Sequence, residues 1–161
     1  MPTPAYILEL RRGHGRNLLL LPGVCGVVVR EDLEPGRRHL LLVRRSDTGA
    51  WALPAGIVEP GEQPATTLVR ELAEETCVVG EPERLAWVVA DPELVYPNGD
   101  RCQFLTTVFR CRYVSGEARV GDEESSDVAW FDVEWLPELD ERQLLRIRHA
   151  LADGERTRFE L

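Results

Sequence analysis

The sequence predicts an α/β fold with a mixed β-sheet between two helices. Three observations point to it: β-branched and leucine-rich runs bounded by turn residues, an amphipathic segment opening at Pro64, and a second helical pattern near the end. With 161 residues, 43% of them hydrophobic and 29% charged, the chain suits one domain with a full core.

Residues 1–16 read as an arm packed on the domain, in which Tyr6 to Arg12 forms a strand or a short helix beside it, at a subunit contact if the chain pairs; residues 17–161 read as the single domain. Val24 to Arg30 and Arg38 to Arg44 are apolar runs separated by Glu-Asp-Leu-Glu-Pro-Gly-Arg, which predicts two antiparallel strands and a hairpin loop. Trp51 to Val58 is a further extended piece. A helix follows: Pro64 suits its first turn, and Ala65, Leu68, Val69, Leu72 and Thr76 recur at i, i+3, i+4, i+7 and i+11, so that side is built for burial. Leu85 to Asp91, Cys102 to Tyr113 and Val128 to Asp132 read as strands. After Pro137, Leu144, Ile147 and Leu151 define a last helix that Gly154 ends.

The formal net charge of −9, with arginine supplying all 19 basic residues, argues against binding a nucleic-acid duplex. Met1 to Leu10 lacks the pattern of a secretory signal, and Leu18 to Leu21 is too short to span a membrane. Cys25, Cys77, Cys102 and Cys111 show no C-x-x-C pair and no histidine at zinc-ligand spacing. A reduced cytoplasmic protein, monomer or homodimer, is expected.

The richest segment is Gly56-Ile57-Val58-Glu59-Pro60-Gly61-Glu62, then seven residues, then Arg70-Glu71-Leu72-Ala73-Glu74-Glu75-Thr76-Cys77-Val78. Glu71, Glu74 and Glu75 stand at i, i+3 and i+4 and form a second helix stripe with no basic residue among them. Such a stripe is either a solvated acidic face or a divalent-cation site. Like charges in contact repel, and Mg²⁺ favours one or two carboxylates while keeping waters and substrate phosphates as further ligands.

This segment resembles the Nudix box, G-x5-E-x7-R-E-U-x-E-E-x-G-U with U aliphatic, and departs from it at one specified position. The resemblance implies an α/β/α sandwich over about residues 17 to 155 and Mg²⁺-dependent hydrolysis, with Mn²⁺ as a substitute. The bond cut is the diphosphate linkage of a nucleoside diphosphate joined to another moiety: a nucleotide, a nucleotide sugar, ADP-ribose or a dinucleoside polyphosphate. It makes Glu71, Glu74 and Glu75 the metal and base carboxylates, with the Gly56 carbonyl as a further ligand, and gives Glu62 and Arg70 a structural ion pair. The departure is Cys77 in place of glycine just past the helix, which costs about 1 kcal/mol if the left-handed conformation is kept.

By the same resemblance, the loop from Gly121 to Phe131 supplies a late carboxylate, Glu124 before Glu123, acting as ligand or base; an exposed acidic loop is the plainer reading. Val95-Tyr96-Pro97-Asn98-Gly99-Asp100-Arg101 is turn chemistry that also falls where the family selects substrate, so Tyr96 and Asn98 are candidates. Trp51 either stacks on a base or packs in the core, and Arg44 or its neighbour Arg45 either holds a phosphate or ends a solvated strand. A Nudix-like module that binds a nucleotide as a sensor, without cleaving it, is the alternative function. Such modules lose box acids, whereas all are kept here.

Overall fold

In the computed structural model, which describes residues 4–96, 98–152, 154 and 156–160, the chain forms three helices and nine strands among the described residues. In order they are α1 (Ala5–His14), β1 (Leu19–Arg30), β2 (His39–Arg45), β3 (Trp51–Ala52), β4 (Ala55–Ile57), α2 (Pro64–Thr76), β5 (Val78–Ala90), β6 (Leu94–Val95), β7 (Arg101–Gly116), β8 (Ser125–Asp132), α3 (Glu141–Leu151) and β9 (Arg158–Phe159). The sheet runs β3-β2-β1-β7-β5-β9, with β4 added to β1, β6 to β7 and β8 to β2. It is mixed: β1 and β7 are parallel from Leu19↔Cys102 to Val29↔Arg112, whereas β5 runs antiparallel to β7.

The expected antiparallel pair β1 and β2 is present but touches only at Val29↔Leu40 and Arg30↔His39. Beyond that the two strands part. β2 goes on pairing with β8, and β4 takes the edge of β1 opposite Gly23, Val24 and Cys25. The extended piece expected from Trp51 to Val58 holds two short strands, split at Leu53-Pro54, where proline has no N–H to give a ladder. That stretch crosses from β2 to β1 and brings Gly56 into the gap.

Alternation along β1 and β2 feeds two cores. Val24, Val28, Leu41 and Val43 face α2, where they meet Leu68 and Leu72. Cys25, Val27, Leu40 and Leu42 face α3, where they meet Ile147 and Ala150. Leu68 and Leu72 are fully buried, each stabilising the fold by about 1.5–3 kcal/mol. They approach glycine backbone directly: a Cβ added to Gly26 would lie 2.9 Å from Leu68 Cδ1, and one on Gly80 2.9 Å from Leu72 Cδ1.

Two phases differ from the periodic reading. Val69 is exposed, because Thr67, Glu71 and Glu75 take the buried positions beside Leu68 and Leu72. Leu144 is also exposed, and Arg146 is buried in its stead. The last helix starts where the Asp140 carboxylate accepts from the Gln143 N–H (2.8 Å) and ends at Leu151, three residues before Gly154. The arm contains a helix, α1, seated by Ile7 against Leu19, Leu21 and Cys102. Among the described residues no helix is long and apolar enough to cross a membrane.

Candidate functional site

The box loop is fastened to α2 before any acid reaches the cleft. Glu62 accepts from Arg70 Nε (2.9 Å) and Nη2 (2.9 Å), from Thr67 Oγ1 (2.8 Å) and from the Glu59 N–H (3.3 Å). The Arg70 guanidinium, first of these, holds the Glu62 carboxyl down to about 2. Arg70 also donates through Nη1 to Glu71 Oε1 (3.0 Å) and Glu74 Oε2 (3.1 Å). The expectation of an acidic stripe with no basic residue among it is thus corrected. Arg70 precedes Glu71 in sequence, but its long stem swings the charge between the acids.

Glu71 and Glu75 turn inward, only 4% and 7% exposed, whereas Glu74 stays exposed on Arg70. The Glu71 carboxyl is pressed onto Gly56, so that a Cβ there would fall 2.3 Å from Glu71 Oε1. Only glycine admits the acid. Burial raises Glu71 to about 7, against the opposing pull of Arg70 and with help from Glu74 and Glu124. Burial, then the charges of Glu71, Asp122 and Glu124, raises Glu75 to about 8, although it receives the Ala55 N–H. Glu75 Oε2 is buried with no hydrogen-bond partner among the described residues.

The late loop lies flat on the end of α2. The Gly121 N–H donates to the Glu75 carbonyl (3.0 Å) and the Arg119 N–H to the Thr76 carbonyl (3.1 Å); a Cβ on Gly121 would collide with the Glu74 carbonyl at 2.0 Å. Ser46 then fixes its tip, giving its N–H to the Glu124 carbonyl (2.8 Å) and its Oγ to those of Glu123 (2.9 Å) and Glu124 (2.8 Å). Glu124 therefore lines the cleft with Glu75, and Glu123 does not. Asp122, which bonds the Glu124 N–H (3.0 Å) and adds charge against Glu75, was missed by the sequence reading; the glycine before it was the available signal. Cys77 keeps the left-handed conformation, φ 57° and ψ 19°, with its N–H on the Ala73 carbonyl (3.1 Å). It is the one non-glycine residue with positive φ among those described.

The cleft, about 190 Å³, is lined by Arg45, Asp47, Leu53, Ala55, Glu75 and Glu124 among others. Pockets that enclose a drug-sized ligand reach roughly 300–1,000 Å³, so this one takes part of a nucleotide and leaves the rest at its rim. Arg44 is not in the lining; its Nε goes to the Gly49 carbonyl (3.0 Å), and Arg45, held by both oxygens of Asp47 (2.9 and 2.6 Å), faces the cleft. Trp51 packs edge-on against Phe131, centroids 4.8 Å apart, on the α3 core. Tyr96 is not in the lining either; burial, then the charge of Cys102, raises the pKa of its hydroxyl, with smaller effects from Arg45, Asp47 and Glu124. Asn98 is occupied by the turn, bonding the Asp100 N–H (3.0 Å) and carboxylate (3.1 Å). Pro97 lies outside the described residues.

The donor set fits a hard divalent cation. Two buried carboxyls repel each other, one oxygen of Glu75 is unbonded among the described residues, and Glu124, which lines the cleft with Glu75, adds its charge against both. Among the described residues no three His, Cys, Asp or Glu side chains are gathered closely enough to hold an ion by themselves.

Residues 19–152 match the family described as the NUDIX domain. A MutT-like protein of Streptomyces ambofaciens is 39% identical over 132 residues, 81% of this chain and 76% of its own length. An ADP-ribose pyrophosphatase of Methanocaldococcus jannaschii is 31% identical over 115 residues, 70% of this chain and 65% of its own. Among solved structures, the NUDIX domain of Shewanella oneidensis NrtR complexed with ADP ribose superimposes with a TM-score of 0.65 at 23% identity, covering 93% of this chain and 97% of that one.

Proposed function

This chain belongs to the Nudix hydrolase family, and from that premise we propose that it hydrolyses, with Mg²⁺, the diphosphate linkage of a nucleoside diphosphate joined to another moiety. The observation that carries the reading is the buried pair Glu71 and Glu75, with Glu75 Oε2 left without a partner among the described residues in the cleft that Glu124 also lines. Glu75, Glu71 and Glu124 would hold the ion, with Glu74 and the Gly56 carbonyl as further donors. When bound, Mg²⁺ neutralises charge on the diphosphate oxygens and acidifies a water.

The chain's own groups supply the rest. Glu71, buried against Gly56, and Glu124, in the cleft lining, are the two candidates for the base. Arg45, pre-set by Asp47, offers its guanidinium to a phosphate, and Tyr96 offers a ring. Arg70 and Glu62 keep the acids in place. The names of the relatives make ADP-ribose the first substrate to try. The reaction is assigned to the cytoplasm.

Incubating the protein with dNTPs, ADP-ribose, diadenosine polyphosphates and sugar nucleotides, with and without Mg²⁺, tests the proposal. Release of a nucleoside monophosphate or diphosphate only with the metal is expected. Saturable binding without release across the panel would instead support the sensor reading.

A further inference from the structure

The first helix lies ahead of the residues that match the family, 19–152, yet it touches both the box loop at Val58 and the turn that ends at Arg101. At its start, Tyr6 donates its hydroxyl to the Val58 carbonyl (3.1 Å), two residues past Gly56; the Val58 N–H in turn donates to the Pro22 carbonyl (3.1 Å). At its end, Arg11 Nη2 donates to the Arg101 carbonyl (2.7 Å) and to Cys102 Sγ (3.1 Å), and its Nε pairs with Asp100 at 3.6 Å. Nη1 closes the chain leaving the helix, through the carbonyls of Gly15 (3.1 Å) and Asn17 (2.7 Å). The Arg11 side chain is only 12% exposed, with its contact to Cys102 partly buried and those to the Gly15, Asn17 and Arg101 carbonyls at the surface.

These contacts fall on the turn that carries Tyr96. Within it the Tyr96 N–H donates to the Asp100 carbonyl (2.9 Å) and the Gly99 N–H to the Tyr96 carbonyl (2.8 Å). Arg16 lies over the same turn, close enough that a Cβ on Gly99 would stand 3.4 Å from its Cδ. Ile7, buried with Leu19 and Leu21, seats the helix between its two anchors.

We infer that α1 is a clamp between the box loop and the turn bearing Tyr96: Arg11 fixes that turn, Tyr6 fixes the loop at Val58, and the helix between them sets the spacing of the two. Arg11 and Tyr6 are positioning residues. The consequence for turnover rests on the function proposed above, whereas the mechanical coupling does not.

The test uses full-length Arg11→Met, which keeps the apolar stem and removes the guanidinium, and Tyr6→Phe, which removes one hydroxyl. Amide hydrogen exchange in Arg11→Met is expected to quicken about tenfold or more at Tyr96 and Gly99 while Val27 and Phe109 stay protected. With ADP-ribose and Mg²⁺, KM is expected to rise about tenfold with kcat within about twofold, the pattern of lost binding rather than lost chemistry. Tyr6→Phe is expected to quicken exchange at Val58 by about threefold and keeps the question decidable if Arg11→Met does not fold. Wild-type exchange at Tyr96 and Gly99 in Arg11→Met, or at Val58 in Tyr6→Phe, overturns the clamp. So does a lowered Tm with unchanged KM. If the wild-type protein turns over no member of the panel, the proposed function fails, and the exchange rates alone decide the clamp.

Discussion

Glu75 and Cys77 concentrate what single residues do here. Unfolded glutamates release their protons near 4.5, whereas burial keeps Glu71 protonated to about 7 and Glu75 to about 8. Between those values the folded state binds more protons, so without metal its stability falls as pH rises from about 5 to 8. We expect Tm in a chelator to fall over that range, and Mg²⁺ to restore more of it at pH 8 than at pH 5, because a bound ion needs the deprotonated acids. Glu75→Gln should flatten the chelator profile; a profile parallel to wild type contradicts the assignment. At Cys77 a side chain occupies a conformation that favours glycine, so Cys77→Gly should stabilise the fold by about 1 kcal/mol, read from the urea midpoint. The sequence marked this position as unusual, and the backbone explains why: the helix end is kept and the strain is borne. It did not decide between Arg44 and Arg45, because adjacent residues differ only in where their stems turn.

Among the elements, α2 shows both the reach of sequence periodicity and its limit. Pro64 was legible as a first-turn residue, and Leu68 and Leu72 because their burial follows directly from apolar spacing. Val69 was misplaced because charged residues are expected to face water, and here Glu71 and Glu75 occupy inward positions. The same reason moved the phase of α3: Arg146 is buried because Asp91, 55 residues away, accepts from its Nη2 through both oxygens at 2.8 Å. Nothing local announces that partner. The Glu62–Arg70 tie joins loop to helix and carries a prediction at this scale. Arg70→Gln should cost about 1.5–3 kcal/mol, as for lost hydrogen bonds to charged groups, and a double-mutant cycle with Glu62→Gln should give clear coupling in urea unfolding. Additive losses would detach the pair from the loop's placement.

Over the whole molecule, the strands were legible but their order was not. β1 finds its parallel partner β7 about eighty residues downstream, and no local pattern encodes a pairing of that separation. The α/β/α layering followed from two apolar helix faces and one sheet; the parting of β1 from β2, which opens the cleft, did not. Asp91 ties these layers together, accepting from Arg146, from Arg142 (2.7 Å) and from Thr106. Removing one side of such a buried cluster leaves an uncompensated guanidinium, so Asp91→Ala should lose about 3–5 kcal/mol of stability in denaturant unfolding. A loss near zero would mean that water reaches Arg146. If Glu75, with Glu71 and Glu124, serves metal-dependent diphosphate hydrolysis, Glu75→Gln should lower Mg²⁺-dependent kcat on the best panel substrate by about 10²-fold or more with Tm kept or raised. Turnover by Glu75→Gln close to that of wild type would remove these acids from the chemistry.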